Sequence, residues 1–153
     1  MIPQPVHIVV DASVGIKLFV IEPLSDVAHS LFAYLALPGT RFYTPDLFYV
    51  ECTNVLWKYA RRGKMPIKDA NAAVDKLCRL ALRSVATASL VSDGLDIAQT
   101  CDVTAYDAVY VALARAKNVP LVTADEALVR TLVGLDVAVL WLGDVQLGTQ
   151  LSL

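Results

Sequence analysis

The sequence has little of what several common kinds of site are built from. Its three cysteines, Cys52, Cys78 and Cys101, are odd in number, far apart and without a C-x-x-C pair. That argues against a disulfide framework and against a thiolate zinc site. The two histidines, His7 and His29, stand at no metal-ligand spacing, and the seven glycines form no phosphate-cradling loop. Charge is sparse at 18% of residues, with 13 basic against 15 acidic side chains and a formal net charge of −2, so a polyanion would have to meet a local patch. Long apolar runs are missing as well. Although 56% of residues are apolar, Asp11, Lys17, Asp107 and Arg115 interrupt the candidate runs, and none reaches the roughly 18 residues of a bilayer span. No basic leader precedes the first strand-like segment, so no secretory signal is expected and the expected location is cytoplasmic.

What is present has the pattern of one α/β domain. At 153 residues the chain is long enough for a proper core, which we place over 6–142, with a C-terminal tail over 143–153 whose end, 148–153, is expected to be loosely held. "VHIVV" (6–10) is a β-branched run ending at Asp11, and "ASVGIKLFV" continues with helical spacing behind a Ser13 cap. Residues 23–37 repeat apolar positions at helical intervals and stop at Pro38-Gly39. "RFYTP" (41–45) is a short strand, and 46–63 a helix with basic residues at its end and glycine after it. A proline opens an amphipathic helix over 66–84. The pattern then predicts a strand over 85–90, helices over 93–102 and 104–117, a buried strand over 119–125, a helix over 126–134 and a last strand over 136–142. Five strands alternating with helices imply a largely parallel sheet covered on both faces.

Ligands of such sheets gather at the carboxyl ends of the strands, so the acids there carry the functional question. Asp11 ends the first strand, Glu51 lies about two turns into the helix after the second, Asp107 is in the first turn of the helix before the fourth, and Asp125 follows the fourth. Capping accounts for some of them equally well. Asp11 and Asp125 can satisfy free N–H groups of the helices they precede, and Thr104-x-x-Asp107 and Thr123-x-x-Glu126 both fit a capping box. Glu51 is too deep in its helix to cap and is flanked by Val50 and Cys52, which leaves a solvated helix position as its alternative. Four carboxylates about 6 Å apart would repel by roughly 2–3 kcal/mol per pair at an effective dielectric near 20. Such a group either takes up protons or holds a divalent cation, and hard oxygen ligands suit Mg²⁺ or Mn²⁺.

Four segments, "IVVDAS" (8–13), "TPDLFYVECTNVLW" (44–57), "AYDAVYVALA" (105–114) and "LVTADEAL" (121–128), resemble in order and spacing the acidic motifs of the PIN-domain ribonucleases, and among these the VapC-type toxins of prokaryotic toxin–antitoxin pairs. The resemblance runs from residue 6 to about 142. It implies a three-layer α/β/α sandwich with a central, mainly parallel five-stranded sheet. It also implies Mg²⁺- or Mn²⁺-dependent hydrolysis of RNA phosphodiester bonds by the toxin of a type II pair, with Asp11, Glu51, Asp107 and Asp125 as the catalytic, metal-holding acids. Ser13 and Thr123 match hydroxyl positions beside the first and fourth acids, where they orient a carboxylate or water, or else cap a helix. Asn54, one turn beyond Glu51, matches a polar position that supports the site or makes a plain structural hydrogen bond. The implied partners are an antitoxin of the VapB type, laid across the active face, and a second copy of the chain.

RNA must still reach an acidic pocket. Lys58, Arg61, Arg62, Lys64 and Lys68 form the densest basic cluster, with Arg41 and Lys17 as possible additions, although a helix end complementing its dipole explains any one of them. The segments 26–37 and 71–84 carry more apolar surface than a lone domain needs, which marks either an interface or core packing. The rival readings are a non-catalytic PIN-like module that binds RNA or protein, a solitary PIN nuclease without an antitoxin, and another Mg²⁺-using α/β enzyme. The last is disfavoured because the first strand is followed by Asp-Ala-Ser, without paired acids.

Overall fold

Strand β1 (His7–Val10) lies at the centre of the molecule because nothing in it after His7 tolerates water: Ile8, Val9 and Val10 are all buried. The computed structural model describes residues 4–147. Strands β2 (Arg41–Pro45), β3 (Arg83–Val85), β4 (Leu121–Thr123) and β5 (Val139–Trp141) complete one sheet in the order β3-β2-β1-β4-β5, every pair parallel. Parallel neighbours need crossovers, and these are supplied by α1 (Ala12–Gly15), α2 (Ser25–Ala33), α3 (Leu47–Arg61), α4 (Ile67–Cys78), α5 (Val91–Cys101), α6 (Ala105–Lys117) and α7 (Glu126–Thr131). The chain steps from β1 through β2 to β3 in one direction and then returns past β1 to β4 and β5. With right-handed crossovers, α1–α4 cover one face and α5–α7 the other, giving an α/β/α sandwich. The order reverses between β1 and β4, and the crevice at their carboxyl ends is where such sheets place a ligand.

Helix α6 is the keystone of its layer. Residues 108–114 are all buried as it crosses β1, β2 and β4, and α5 closes over it, with Gly94 against Val109. On the opposite face the first helix is shorter than its sequence pattern predicts. It makes one turn and then tightens into a 3₁₀ turn at Ile16–Leu18. Gly15 permits this close approach, since a Cβ there would strike the Phe48 ring of α3.

Other boundaries also move. The helix predicted over 66–84 ends at Cys78, and the following strand lies at Arg83–Val85, earlier than the predicted 85–90. The cause is local chemistry at Thr87, whose N–H and hydroxyl both donate to Asp46 Oδ1, at 2.9 Å and 2.5 Å, while its Oγ1 accepts from the Leu47 N–H. These bonds fold Thr87–Ser89 into a 3₁₀ turn and remove it from the ladder. Of the tail expected over 143–153, Val145 and Leu147 pack against the core, and 148–153 lie outside the described residues. Among the described residues no helix is long and apolar enough to cross a membrane.

Candidate active site

Asp11 sits immediately beyond β1, at the reversal of strand order, and is only 7% exposed. It does not cap α1 with its side chain, and Ser13 is not the cap either. Instead, two hydroxyl groups converge on a single carboxylate oxygen: Thr123 Oγ1 donates to Asp11 Oδ2 at 2.7 Å, and Ser13 Oγ donates to the same atom at 2.9 Å. Each hydroxyl then accepts a backbone N–H from the segment after β4, Ala124 N–H on Ser13 Oγ at 3.0 Å and Asp125 N–H on Thr123 Oγ1 at 3.1 Å. Because a hydroxyl carries one hydrogen, neither can donate again, and the 3.3 Å approach of Ser13 Oγ to Thr123 Oγ1 is a contact between oxygens. The capping box that the Thr123-x-x-Glu126 pattern allowed is not formed. Asp125 caps α7 itself, accepting the Leu128 N–H on Oδ1 at 3.0 Å.

The other two acids ride on helices. Thr104 caps α6, as its capping pattern allows, accepting the Asp107 N–H at 3.2 Å, and its hydroxyl also lies against the Asp107 carboxylate. Glu51 is half-buried on α3, and its Oε1 accepts a 2.7 Å hydrogen bond from the phenol of Tyr110, one turn beyond Asp107 on α6. The sequence treats Tyr110 as packing. Its polar role had one faint signal, the i, i+3 spacing from Asp107.

Electrostatics tie the acids together. Burial raises the Asp11 carboxyl above the usual aspartate value, against the lowering effect of its two hydroxyl partners. Burial likewise pushes Glu51 up to about 7, with the Tyr110 hydrogen bond opposing and the charges of Asp11 and Asp107 adding to the rise. Asp107 is raised by burial and by Asp11, with the Thr104 hydroxyl opposing and Asp125 adding to the rise. Among the described residues none of the four acids is ion-paired with a lysine or arginine; the ion pairs run from Lys17 to Glu22, Arg115 to Asp136 and Arg130 to Glu126. The site thus gathers one buried, two part-buried and one exposed carboxyl group with no ion-paired protein cation among the described residues. Among the described residues no three acidic, thiol or imidazole groups converge tightly enough to grip one ion, so this is a gathering of carboxylates and not a finished coordination shell.

The remaining candidates divide. Asn54 is exposed, and among the described residues no side-chain hydrogen bond ties it to the acids. Lys58, Arg61, Arg62 and Lys64 are exposed at the far end of α3, where Arg61 lies 5.3 Å from the Trp57 ring centre and Lys64 lies 5.7 Å from that of Tyr59. Seven and eleven residues beyond Glu51, Lys58 and Arg62 fall on its face of the helix, about 10 and 16 Å along the axis. Two further cations drop out of the patch. Lys17 is buried and bound to Glu22 at 2.9 Å, and Arg41 opens β2 at the end of the sheet opposite the acids. A groove of about 880 Å³ includes none of the four acids; it is lined by Phe19, Phe32, Tyr59, Met65, Ala73 and Leu80 among others.

The family model for the PIN domain matches residues 8–132, a span that holds all four acids. The chain belongs to the PIN-domain family. This PIN domain is 35% identical over 123 residues to a Pyrobaculum aerophilum protein named Ribonuclease VapC3, covering 79% of this chain and 91% of that one. It superposes on a crystal structure from the same organism with a TM-score of 0.67 at 25% identity, covering 88% of this chain and 83% of the other. A toxin–antitoxin complex from Klebsiella pneumoniae shares the fold at 16% identity and a TM-score of 0.57, over 88% of this chain and 96% of that one.

Proposed function

We propose that this PIN domain is a Mg²⁺- or Mn²⁺-dependent endoribonuclease and the toxin half of a type II toxin–antitoxin pair. The observation that carries the reading is the coupled group of buried Asp11 and part-buried Glu51 and Asp107, with exposed Asp125 beside it and, among the described residues, no ion pair from any of the four to a basic side chain. Family membership and a relative named Ribonuclease VapC3 support the same reading.

The donor set fits a hard divalent cation: all carboxylate oxygens, raised in pKa where they are buried together, and short of positive charge. Asp11, Glu51, Asp107 and Asp125 are the groups that would hold it, and such an ion, when bound, neutralises a scissile phosphate and lowers the pKa of a bound water. The protein's own residues do the rest. Ser13 and Thr123 fix the Asp11 carboxylate at the crevice. Lys58 and Arg62, with Arg61 and Lys64 beside them, steer the RNA backbone toward Glu51. No protein nucleophile takes part, since burial pushes the nearby Cys52 thiol far up and keeps it neutral. The apolar segments 26–37 and 71–84 line the 880 Å³ groove beside Tyr59 and Lys64, away from the four acids, and we assign it to an anchoring part of an antitoxin that elsewhere lies across the active face.

Purified protein is expected to cleave RNA only with Mg²⁺ or Mn²⁺ present. Asp11→Asn and Asp107→Asn are expected to lose activity by more than about 100-fold, the upper range for losing a mere outer partner of a metal ligand, with an unchanged circular dichroism spectrum. Full activity in excess EDTA, or in either variant, would overturn the mechanism. Coexpression with the product of a neighbouring short reading frame that encodes a DNA-binding protein is expected to silence cleavage.

A further inference from the structure

Tyr110 is 1% exposed, at the centre of the α6 segment that packs on the sheet. A phenylalanine would fill that volume without bringing a polar group into the core. A buried hydroxyl costs free energy unless it is hydrogen-bonded, so its partner indicates why it is there. Among the described residues that partner is Glu51 Oε1 alone, 59 positions away in the chain and on the opposite helical layer. The bond therefore spans the carboxyl edge of the sheet, over the crevice that holds Asp11.

The hydrogen bonds on the acids share a pattern. Asp11 is held through Oδ2 by two hydroxyls, Asp125 through Oδ1 by the Leu128 N–H, and Glu51 through Oε1 by Tyr110. Among the described residues Glu51 Oε2 accepts no hydrogen bond, whereas the Asp11 carboxylate also meets the backbone N–H groups of Ala12 and Ser13. We infer that Tyr110 is a positioning residue for Glu51, doing for the acid on α3 what Ser13 and Thr123 do for Asp11: its hydroxyl fixes Oε1 and so presents Oε2 to a divalent cation. This inference rests on the metal-dependent reading above.

Tyr110→Phe removes the hydroxyl and keeps the ring. Mn²⁺ affinity of the full chain, measured by calorimetry and by electron paramagnetic resonance of the free ion, is expected to fall about ten-fold, the lower range for losing a partner of a metal ligand. RNA cleavage is expected to lose kcat by a similar factor with KM unchanged. In a Glu51→Ala background the same replacement is expected to change Mn²⁺ affinity no further, a result that a general packing role for Tyr110 would not give. Wild-type affinity in Tyr110→Phe, or an equal loss on top of Glu51→Ala, overturns the inference while leaving the metal reading in place. Wild-type protein that binds no Mn²⁺ overturns both.

Discussion

Asp11 and Glu51 serve one crevice but are held by different means. Asp11 is at a strand end, buried, with its position fixed by backbone that cannot shift without breaking the β1–β4 ladder and by two hydroxyls committed to one oxygen. Glu51 is on a helix, half-buried, and restrained by one hydroxyl from the opposite layer. The strand-end half of the site is built into the sheet, whereas the helix half depends on two layers staying in register. Damage to the first is therefore expected to appear as lost stability and lost activity together, and damage to the second mainly as altered chemistry.

The largest expected separation comes from Thr123→Val, which keeps the shape of the side chain and removes its hydroxyl. Asp11 then loses a donor and the Asp125 N–H loses its acceptor, a cost of about 2 kcal/mol that lowers the melting temperature by roughly 4–8 °C in thermal unfolding. Cleavage is expected to fall by about 10- to 100-fold in the same variant. A Thr123→Val protein as stable and active as wild type would erase the distinction between the two halves.

The pH dependence of the metal-free protein sharpens the other half. Glu51 titrates near its ordinary 4.5 when unfolded and at about 7 when folded, so the folded state holds the extra proton between those values. The stability this group contributes is complete below about pH 4.5 and is lost as pH rises through 7. For a half-exposed side chain the loss amounts to about 1 kcal/mol, or roughly 3 °C in melting temperature. Glu51→Gln is expected to flatten that slope, and a slope unchanged by the replacement would show that Glu51 is not its source.

The smallest effects are expected on the basic stripe. Lys58→Ala and Arg62→Ala are each expected to raise KM about two- to five-fold with kcat preserved, and to reduce the salt dependence of RNA binding by about one counterion. A change confined to kcat would place these residues in the chemistry instead.

How much of this was legible in the sequence depended on whether the information was local. β-branched runs ending in an acid located Asp11 and Asp125 at strand ends, and Thr104 three residues before Asp107 located the cap of α6. The buried Lys17–Glu22 pair was not legible as a loss to the basic patch, because it depends on how the segment after α1 folds back. Arg41 could have been excluded, since it begins a strand whose far end faces the site. Tyr110 was hidden because a tyrosine within an apolar helical run has the pattern of core, and only the packing of two distant helices shows where its hydroxyl goes. Strand β3 was misplaced because it is a three-residue edge strand of mostly exposed residues, while the apolar run beyond it was drawn into a turn by Asp46.

The clamp on Asp11 also limits what that corner can do to a bound molecule. Ser13 and Thr123 each point their single hydrogen at the same carboxylate oxygen, and each fills an acceptor site with a backbone N–H. Two hydroxyl groups within the crevice are thus mute toward an incoming phosphate: they can shape its surroundings but cannot donate to it. Any hydrogen bond that a phosphate receives must come from outside that corner, and the exposed lysines and arginines at the end of α3 offer such donors.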